Sequence, residues 1–78
     1  MAIGQLVKVV WVDAKMWGAE WVGSDFISKC ELPTCVSVGF VVRETDDMLL
    51  LNQSNSEEVK ANLVGIPKAC IKSKKEVK

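Results

Sequence analysis

The side chains that could carry out chemistry in this chain are three cysteines and a pair of adjacent aspartates. Cys30, Cys35 and Cys70 could supply three thiolates, but a structural zinc site needs four ligands at tighter paired spacing. We therefore interpret them as buried structural thiols. The chain has no His, the usual base that activates a cysteine nucleophile. Asp46 and Asp47 lie between two apolar runs, where Asp favours a turn. These residue types favour a binding protein over an enzyme, with no metal or other cofactor.

Aromatic residues are the strongest candidates for a binding site. Trp17 and Trp21 lie four residues apart in a loop that contains Gly18 and Gly23, close to Lys15. Aromatic rings on loops can stack on nucleobases or anchor a partner protein. Lys68 precedes the last predicted strand and could pair with an anionic ligand. We predict a ligand site that includes Trp17, Trp21, Lys15 and Lys68. The alternative is that the two tryptophans fold back and cover one end of the core.

The stretch from Val36 to Leu51 has the pattern of two strands joined by a tight acidic turn. Strongly apolar residues recur at every second position of its first half, which indicates a strand with one face in a core. Residues 44–47 then interrupt the pattern with side chains that favour turns. Met48–Leu51 resume as a wholly apolar run, which fits a buried strand. The face of the first strand that we predict to point inward consists of Val36, Val38, Phe40 and Val42.

Residues 6–13 form another predicted strand, which precedes the hairpin. Both of its faces are largely apolar, and a small domain has one interior. We therefore expect one face to meet the core, with Trp11 in it. The opposite face should meet a helix, a loop or another subunit.

A long connection, residues 14–35, separates this strand from the hairpin. Ser24 is suited to be the N-cap of a short helix from about Asp25 to Glu31, because its hydroxyl can accept a hydrogen bond from a backbone N–H of the first turn. A connection of this length more often has a function than not. The helix residues that we predict to face the core are Phe26, Ile27 and Cys30.

The C-terminal third of the chain predicts a loop followed by two strands. The polar residues 53–60 indicate a solvated loop, and residues 61–66 indicate the fourth strand. Pro67 ends that strand, because proline cannot donate a ladder hydrogen bond. A tight turn and a short last strand follow, starting at Ile71. The prediction is thus one small mostly β domain over residues 1–72 and a charged flexible tail over residues 73–78.

The charge distribution limits the class of partner. Residues 1–71 carry six basic and nine acidic side chains, a net charge of −3, whereas the surface of a protein that binds duplex nucleic acid is normally basic. The start of the chain has no basic segment followed by a long apolar run, and no stretch approaches membrane-spanning length. With an odd number of cysteines, this predicts a cytoplasmic protein with reduced thiols and no membrane partner.

Two segments resemble known small barrels. The stretch Gly65–Ile71, GIPKACI, resembles the strand–turn–strand that closes Src-homology-three-like domains. The hairpin resembles the first signature of Sm-like proteins, in which residues of the same kinds follow in the same order as Gly39, Val41, Asp46, Met48 and Leu50. The resemblance implies a five-stranded antiparallel Src-homology-three-like (Sm-like) barrel with one short helix in its long first loop. The chain lacks Tyr and the second Sm signature, so it matches neither the aromatic peptide groove nor the Sm-type RNA site.

Three further segments, VVWVDA, SVGFVVRETDD and IPKACI, look like a family of small proteins carried by bacteriophages and prophages. That resemblance implies an intracellular phage accessory protein, in the host cytosol, and it supplies no catalytic residues. We predict a non-enzymatic, homo-oligomeric, phage-type binding protein that sequesters a small nucleotide-like signal of host defence. The alternative is a protein-interaction or assembly module with a host or phage partner. Binding of single-stranded RNA is a third hypothesis.

Overall fold

The computed structural model describes residues 2–16, 18, 21–55 and 59–77. Five antiparallel strands form one sheet in the order β4-β3-β2-β1-β5, which confirms the predicted mostly β fold. A short helix lies between β1 and β2, and a 3₁₀ turn connects β4 to β5. The elements are β1 (Leu6–Val12), α1 (Ser24–Ser28), β2 (Thr34–Glu44), β3 (Met48–Asn55), β4 (Lys60–Pro67), the 3₁₀ turn (Lys68–Cys70) and β5 (Ile71–Glu76).

The core lies on one side of this sheet, which we call the inner face. Val7 and Val9 of β1 point to it and are fully buried, whereas Lys8 between them is exposed. This alternation is what a strand with one covered face produces. Trp11 packs against the same core, as predicted. The fully buried apolar side chains are Val7, Val9, Val41, Leu49, Leu51 and Ile66.

The predicted orientation of β2 is wrong. Phe40 lies opposite Leu6 and Asn52 and is only partly buried, while its neighbour Val41 is fully buried. The reason is volume, because the β2 residues opposite Val7 and Val9 are Gly39 and Ser37. The large β1 side chains fill the inner face, so the bulkier residues of β2 point outward.

A bulge at Val42 changes the alternation further along β2. The pairing runs from Val41 opposite Leu51 directly to Arg43 opposite Leu50, so Val42 is an extra residue. An extra residue in one strand bends it and reverses which side chains point to a given face. The strand therefore places Glu44 opposite the buried Leu49.

Gly39 allows β3 to approach β2 closely. A Cβ atom at this position would lie 2.7 Å from the backbone oxygen of Asn52 and 3.3 Å from the Cβ of Leu51. Glycine within a strand commonly marks such an approach of another backbone. The predicted tight turn between β2 and β3 is also present, where the Thr45 hydroxyl accepts a hydrogen bond from the Met48 N–H (3.0 Å).

Residues 13–33, which we call the arm, leave the sheet between β1 and β2. At the base of the arm, the Asp13 N–H donates to the Pro33 carbonyl (3.0 Å). Helix α1 in the arm is shorter than predicted, its N-cap is Gly23, and no side chain caps it. The prediction that the helix faces the core is wrong, because the arm leaves from the end of the sheet. Its exposed residues include Phe26, Ile27 and Cys30.

The polar segments near the C-terminus are more ordered than the sequence indicates. The predicted loop over residues 53–60 contains strand at both ends, with Ser54 opposite Ala61, while residues 56–58 lie outside the described part. The predicted flexible tail is wrong for residues 73–76, because β5 continues along the free edge of β1 to Glu76. Over the residues that the structure describes, neither helix has the length and apolarity needed to cross a bilayer.

Candidate functional site

The arm is the most exposed apolar part of the molecule. Every described residue from Asp13 to Thr34 is exposed. Trp21 is 102% exposed, so this side chain does not fold back over the core. Exposed apolar residues concentrated in one segment usually mark an interaction site. The large apolar residues exposed on the arm are Met16, Trp21, Val22, Phe26, Ile27 and Leu32.

A concavity of about 270 Å³ lies within the arm, lined by Lys15, Phe26, Lys29, Cys30 and Glu31. It combines two ammonium groups, one aromatic ring and one carboxylate. A planar anion could lie against Phe26 with its charge near the two lysines, since rings stack and lysines attract anions. The arm therefore brings the predicted site residue Lys15 together with Phe26 and Lys29, which the sequence prediction did not include in the site.

The other predicted site residues are not part of this concavity. Trp17 lies outside the described residues. Lys68 forms an ion pair with Glu44, at 2.7 Å between the Lys68 Nζ and the Glu44 Oε2, and its backbone N–H donates to the Asp47 carbonyl (2.8 Å). The hydrogen bond from the Lys68 ammonium is the largest cause that lowers the pKa of Glu44 to about 2. In this structure Lys68 thus ties the 3₁₀ turn to the β2–β3 turn.

The side of the sheet opposite the core, which we call the outer face, carries an apolar stripe along β2. Val36 and Val38 are 58% and 42% exposed, and Phe40 is partly buried. On β1, Val10 lies opposite Val36 and Leu6 lies opposite Phe40, so the stripe continues across two strands. The sequence contains a signal for this surface, because both faces of β1 are apolar. The period-two pattern of β2 instead predicts a core face, which is wrong for Val36 and Val38.

Two lysines interrupt the outer face. Lys8 lies opposite Lys75 in the β1–β5 pairing, and together with Glu76 and Val77 they line a concavity of about 470 Å³. Like charges directly opposite each other on neighbouring strands are destabilising. A negatively charged group bound here would relieve that repulsion.

The cysteines do not form a joint site. All three lie in the described part of the chain, and none is bonded to another. The prediction of a buried thiol is wrong for Cys30, which is exposed on the arm. Cys35, opposite Trp11 on the inner face, and Cys70, in the 3₁₀ turn, are partly buried. Among the described residues, no group of three or more Cys, Asp or Glu side chains is arranged to hold a metal ion.

The site is thus an arm that exposes apolar side chains and a cationic concavity, next to a sheet whose outer face is also apolar. No family model, curated protein or solved structure matches the chain.

Proposed function

We propose that this chain is a non-enzymatic binding protein that self-associates and contacts its partners through the arm. The observation that carries the proposal is surface area. The chain exposes 5983 Å², whereas a compact monomer of 8.6 kDa exposes about 4,700 Å². The excess of about 1,300 Å² is larger than the roughly 800 Å² that each partner buries in a typical stable interface.

The dimensions of the chain support the same proposal. Its radius of gyration is 15.9 Å, and its extents are 51 × 23 × 23 Å. A compact domain of this length has a radius of gyration of about 11.5 Å. The extended shape and the exposed apolar arm together favour a protein that becomes compact when it is assembled with other chains.

The barrel identity belongs to this proposal as well. The strand order β4-β3-β2-β1-β5 and the 3₁₀ turn between β4 and β5 are the features that support a Src-homology-three-like or Sm-like barrel. Small barrels of this kind serve as binding modules more often through their loops than through their core. We place the binding function in the arm, which is the long first loop of such a barrel.

Light scattering on the purified protein tests the self-association. We expect a dimer or larger assembly at tens of micromolar, a range in which an interface of micromolar affinity is occupied. A double variant, Trp21→Ser with Ile27→Ser, should shift the protein toward monomer without lowering its melting temperature, because both side chains are exposed. Ile3→Ser, at an exposed apolar residue outside the arm, is the matched control. A wild-type protein that stays strictly monomeric would contradict the proposal.

A second candidate function is the sequestration of a small nucleotide-like signal, in keeping with a phage anti-defence role. The observation that favours it is the concavity in which Phe26 lies with Lys15 and Lys29. Stacking of one base on an aromatic ring contributes about 1–3 kcal/mol. A negatively charged phosphate would find two ammonium groups nearby.

Native mass spectrometry of freshly purified protein, followed by titration with mononucleotides and cyclic dinucleotides, tests this candidate. We expect Phe26→Ala to weaken binding by about tenfold or more, since about 1.4 kcal/mol corresponds to one decade. Phe26→Tyr, which keeps the ring, should retain affinity. If the protein binds single-stranded RNA oligonucleotides but no nucleotide, the RNA hypothesis is favoured. If it binds neither, the protein-interaction function is the one that remains.

A further inference from the structure

We infer that the arm of one copy packs against the outer face of a second copy, and that the second arm returns the same contact. This inference rests on the proposed self-association and names the two surfaces that meet. The outer face is defined by Val36, Val38 and Phe40 of β2 with Leu6 and Val10 of β1. The arm contributes its exposed side chains around Trp21 and Ile27.

The distribution of apolar residues on β2 is the first argument. The inner positions of β2 that lie opposite β1, Cys35, Ser37 and Gly39, are small or polar, whereas Val36 and Val38 on the outer face are branched and apolar. A sheet that faced water on its outer side would normally show the opposite distribution. The outer face therefore has the composition of a covered surface, while Val36 and Val38 remain 58% and 42% exposed in the single chain.

The arm of the same chain does not cover this face. The hydrogen bond between Asp13 and Pro33 holds the base of the arm together at the end of the sheet. The described arm residues are exposed, including Trp21 at 102% and Ile27 at 61%. A single chain thus leaves two apolar surfaces uncovered, and each is a suitable partner for the other.

Charge complementarity is the second argument. By sequence, residues 13–33 carry four acidic and two basic side chains, a net charge of −2. The outer face presents the opposed pair Lys8 and Lys75. An acidic arm docked here would place carboxylates near two lysines that otherwise repel each other. The whole chain has a net charge of zero, so two copies do not repel each other over long distances.

Reciprocal exchange also closes the assembly. In a two-fold symmetric dimer each copy gives its arm and receives its partner's arm, so no arm or outer face is left for a third copy. Two arm contacts can then cover the excess exposed surface of about 1,300 Å² on each chain. This area is larger than the roughly 800 Å² that each partner buries in a typical interface. Longer assembly through the exposed edge of β5 is disfavoured by its lysines, Lys72, Lys74 and Lys75.

Complementation between two variants tests the inference. The arm variant carries Trp21→Glu and Ile27→Glu, and the face variant carries Val36→Glu and Val38→Glu. All four side chains are exposed in the single chain, so we expect both variants to fold. A dimer of either variant alone retains no intact arm–face contact. We therefore expect its dissociation constant to be at least tenfold higher than that of the wild type. An equimolar mixture should form a heterodimer with one intact contact, which native mass spectrometry distinguishes by mass.

The outcomes separate the possible arrangements. A face variant that dimerises as tightly as the wild type would overturn the inference in favour of arm–arm contact. An arm variant that does so would overturn it in favour of face–face contact. A monomeric wild type would instead contradict the proposed self-association. Ile3→Glu is the control for an added charge at an exposed apolar residue, and circular dichroism checks folding. If the face variant unfolds, Val36→Ser with Val38→Ser replaces it, with the same expected result.

Discussion

The two faces of β2 differ in a way that reverses the usual distribution. The inner face presents Ser37 and Gly39 opposite Val9 and Val7, and the outer face presents the bulkier apolar side chains of the strand. On the inner side, the apolar side chains of β1 fill the space over the two strands, so the residues of β2 opposite them are small. In a domain with six fully buried apolar side chains among its described residues, available volume decides which face is inside. Period-two apolar residues therefore identify a strand but not its inner face.

Neighbouring leucines on β3 should show the largest difference between the two sides of the sheet. Leu51 is fully buried and lies opposite Val41, whereas Leu50 is only partly buried. We expect Leu51→Ala to reduce the free energy of unfolding by about 2–5 kcal/mol. Leu50→Ala is the matched control and should cause a clearly smaller loss, as measured by urea denaturation. Equal losses would contradict the assignment of inner and outer sides.

Gly39 tests how tightly the inner face is filled. A methyl group at this position would lie 2.7 Å from the Asn52 carbonyl oxygen, so β3 would have to move. We expect Gly39→Ala to destabilise the protein by about 1–3 kcal/mol, as overpacking in a core does. Gly65→Ala is a useful control on β4, because the nearest atom there is the Met48 sulfur at 3.2 Å, which belongs to a flexible side chain. A Gly39→Ala protein that melts like the wild type would show that the strands have room to separate.

Ser37 provides a polar contact on the inner face. Its hydroxyl accepts a hydrogen bond from the Trp11 indole N–H at 3.0 Å, in a partly buried position. We expect Ser37→Ala to reduce the free energy of unfolding by about 0.5–1.5 kcal/mol, the usual net value of one hydrogen bond. A double-mutant cycle with Trp11→Phe should give a coupling energy in the same range. Additive losses would mean that this bond does not stabilise the fold, and the small size of Ser37 would be its only contribution.

The ion pair between Lys68 and Glu44, at the end of β2 beyond the bulge, should make the smallest contribution to the free energy of unfolding, and this contribution depends on pH. The pKa of Glu44 is lowered from 4.5 to about 2, mainly by the hydrogen bond from the Lys68 ammonium, so the carboxylate form favours the folded state. This contribution is complete above the unfolded-state pKa and is lost as the pH falls from about 4.5 to about 2. We expect Lys68→Met to be less stable than the wild type near neutral pH, with a difference that shrinks over this range.

The pH dependence needs its own control. Lys72→Met removes a lysine from β5 and should differ from the wild type by an amount that does not change over the same range. Urea midpoints measured at several pH values provide the comparison. A constant difference for Lys68→Met would indicate that the ion pair does not form in solution.

Local residue patterns predict where the strands begin and end, but they do not predict how the strands pack. Three local features place strand ends close to where they occur: the turn-forming residues 44–47, the apolar run Met48–Leu51 and Pro67, which ends β4. The orientation of Phe40 could not be predicted, because it depends on the volume of the β1 residues across the pair. Residues 73–76 are polar, and only the free edge of β1 makes them a strand.

Of the predicted site residues that the structure describes, Lys15 lines the concavity and Lys68 does not, for the same reason. Spacing and residue type single out Lys15 and Trp21 in a long loop, and the structure leaves both on the exposed arm. Lys68 pairs with Glu44 because the bulge reverses the end of β2, and bulges have no reliable sequence signal here. The outer face stays exposed because no described part of the chain packs on it. The sequence pattern of one strand cannot show which of its faces is left uncovered.

The hydrogen bond between Asp13 and Pro33 has a practical consequence for protein engineering. It brings the two ends of the insertion, residues 14–32, close together at the end of the sheet. A shorter flexible loop across the same gap has a smaller closure entropy. We expect a version in which a short Gly-Ser linker replaces the insertion to keep all five strands. The same position would then accept a foreign peptide, displayed at the end of a small sheet that serves as its scaffold.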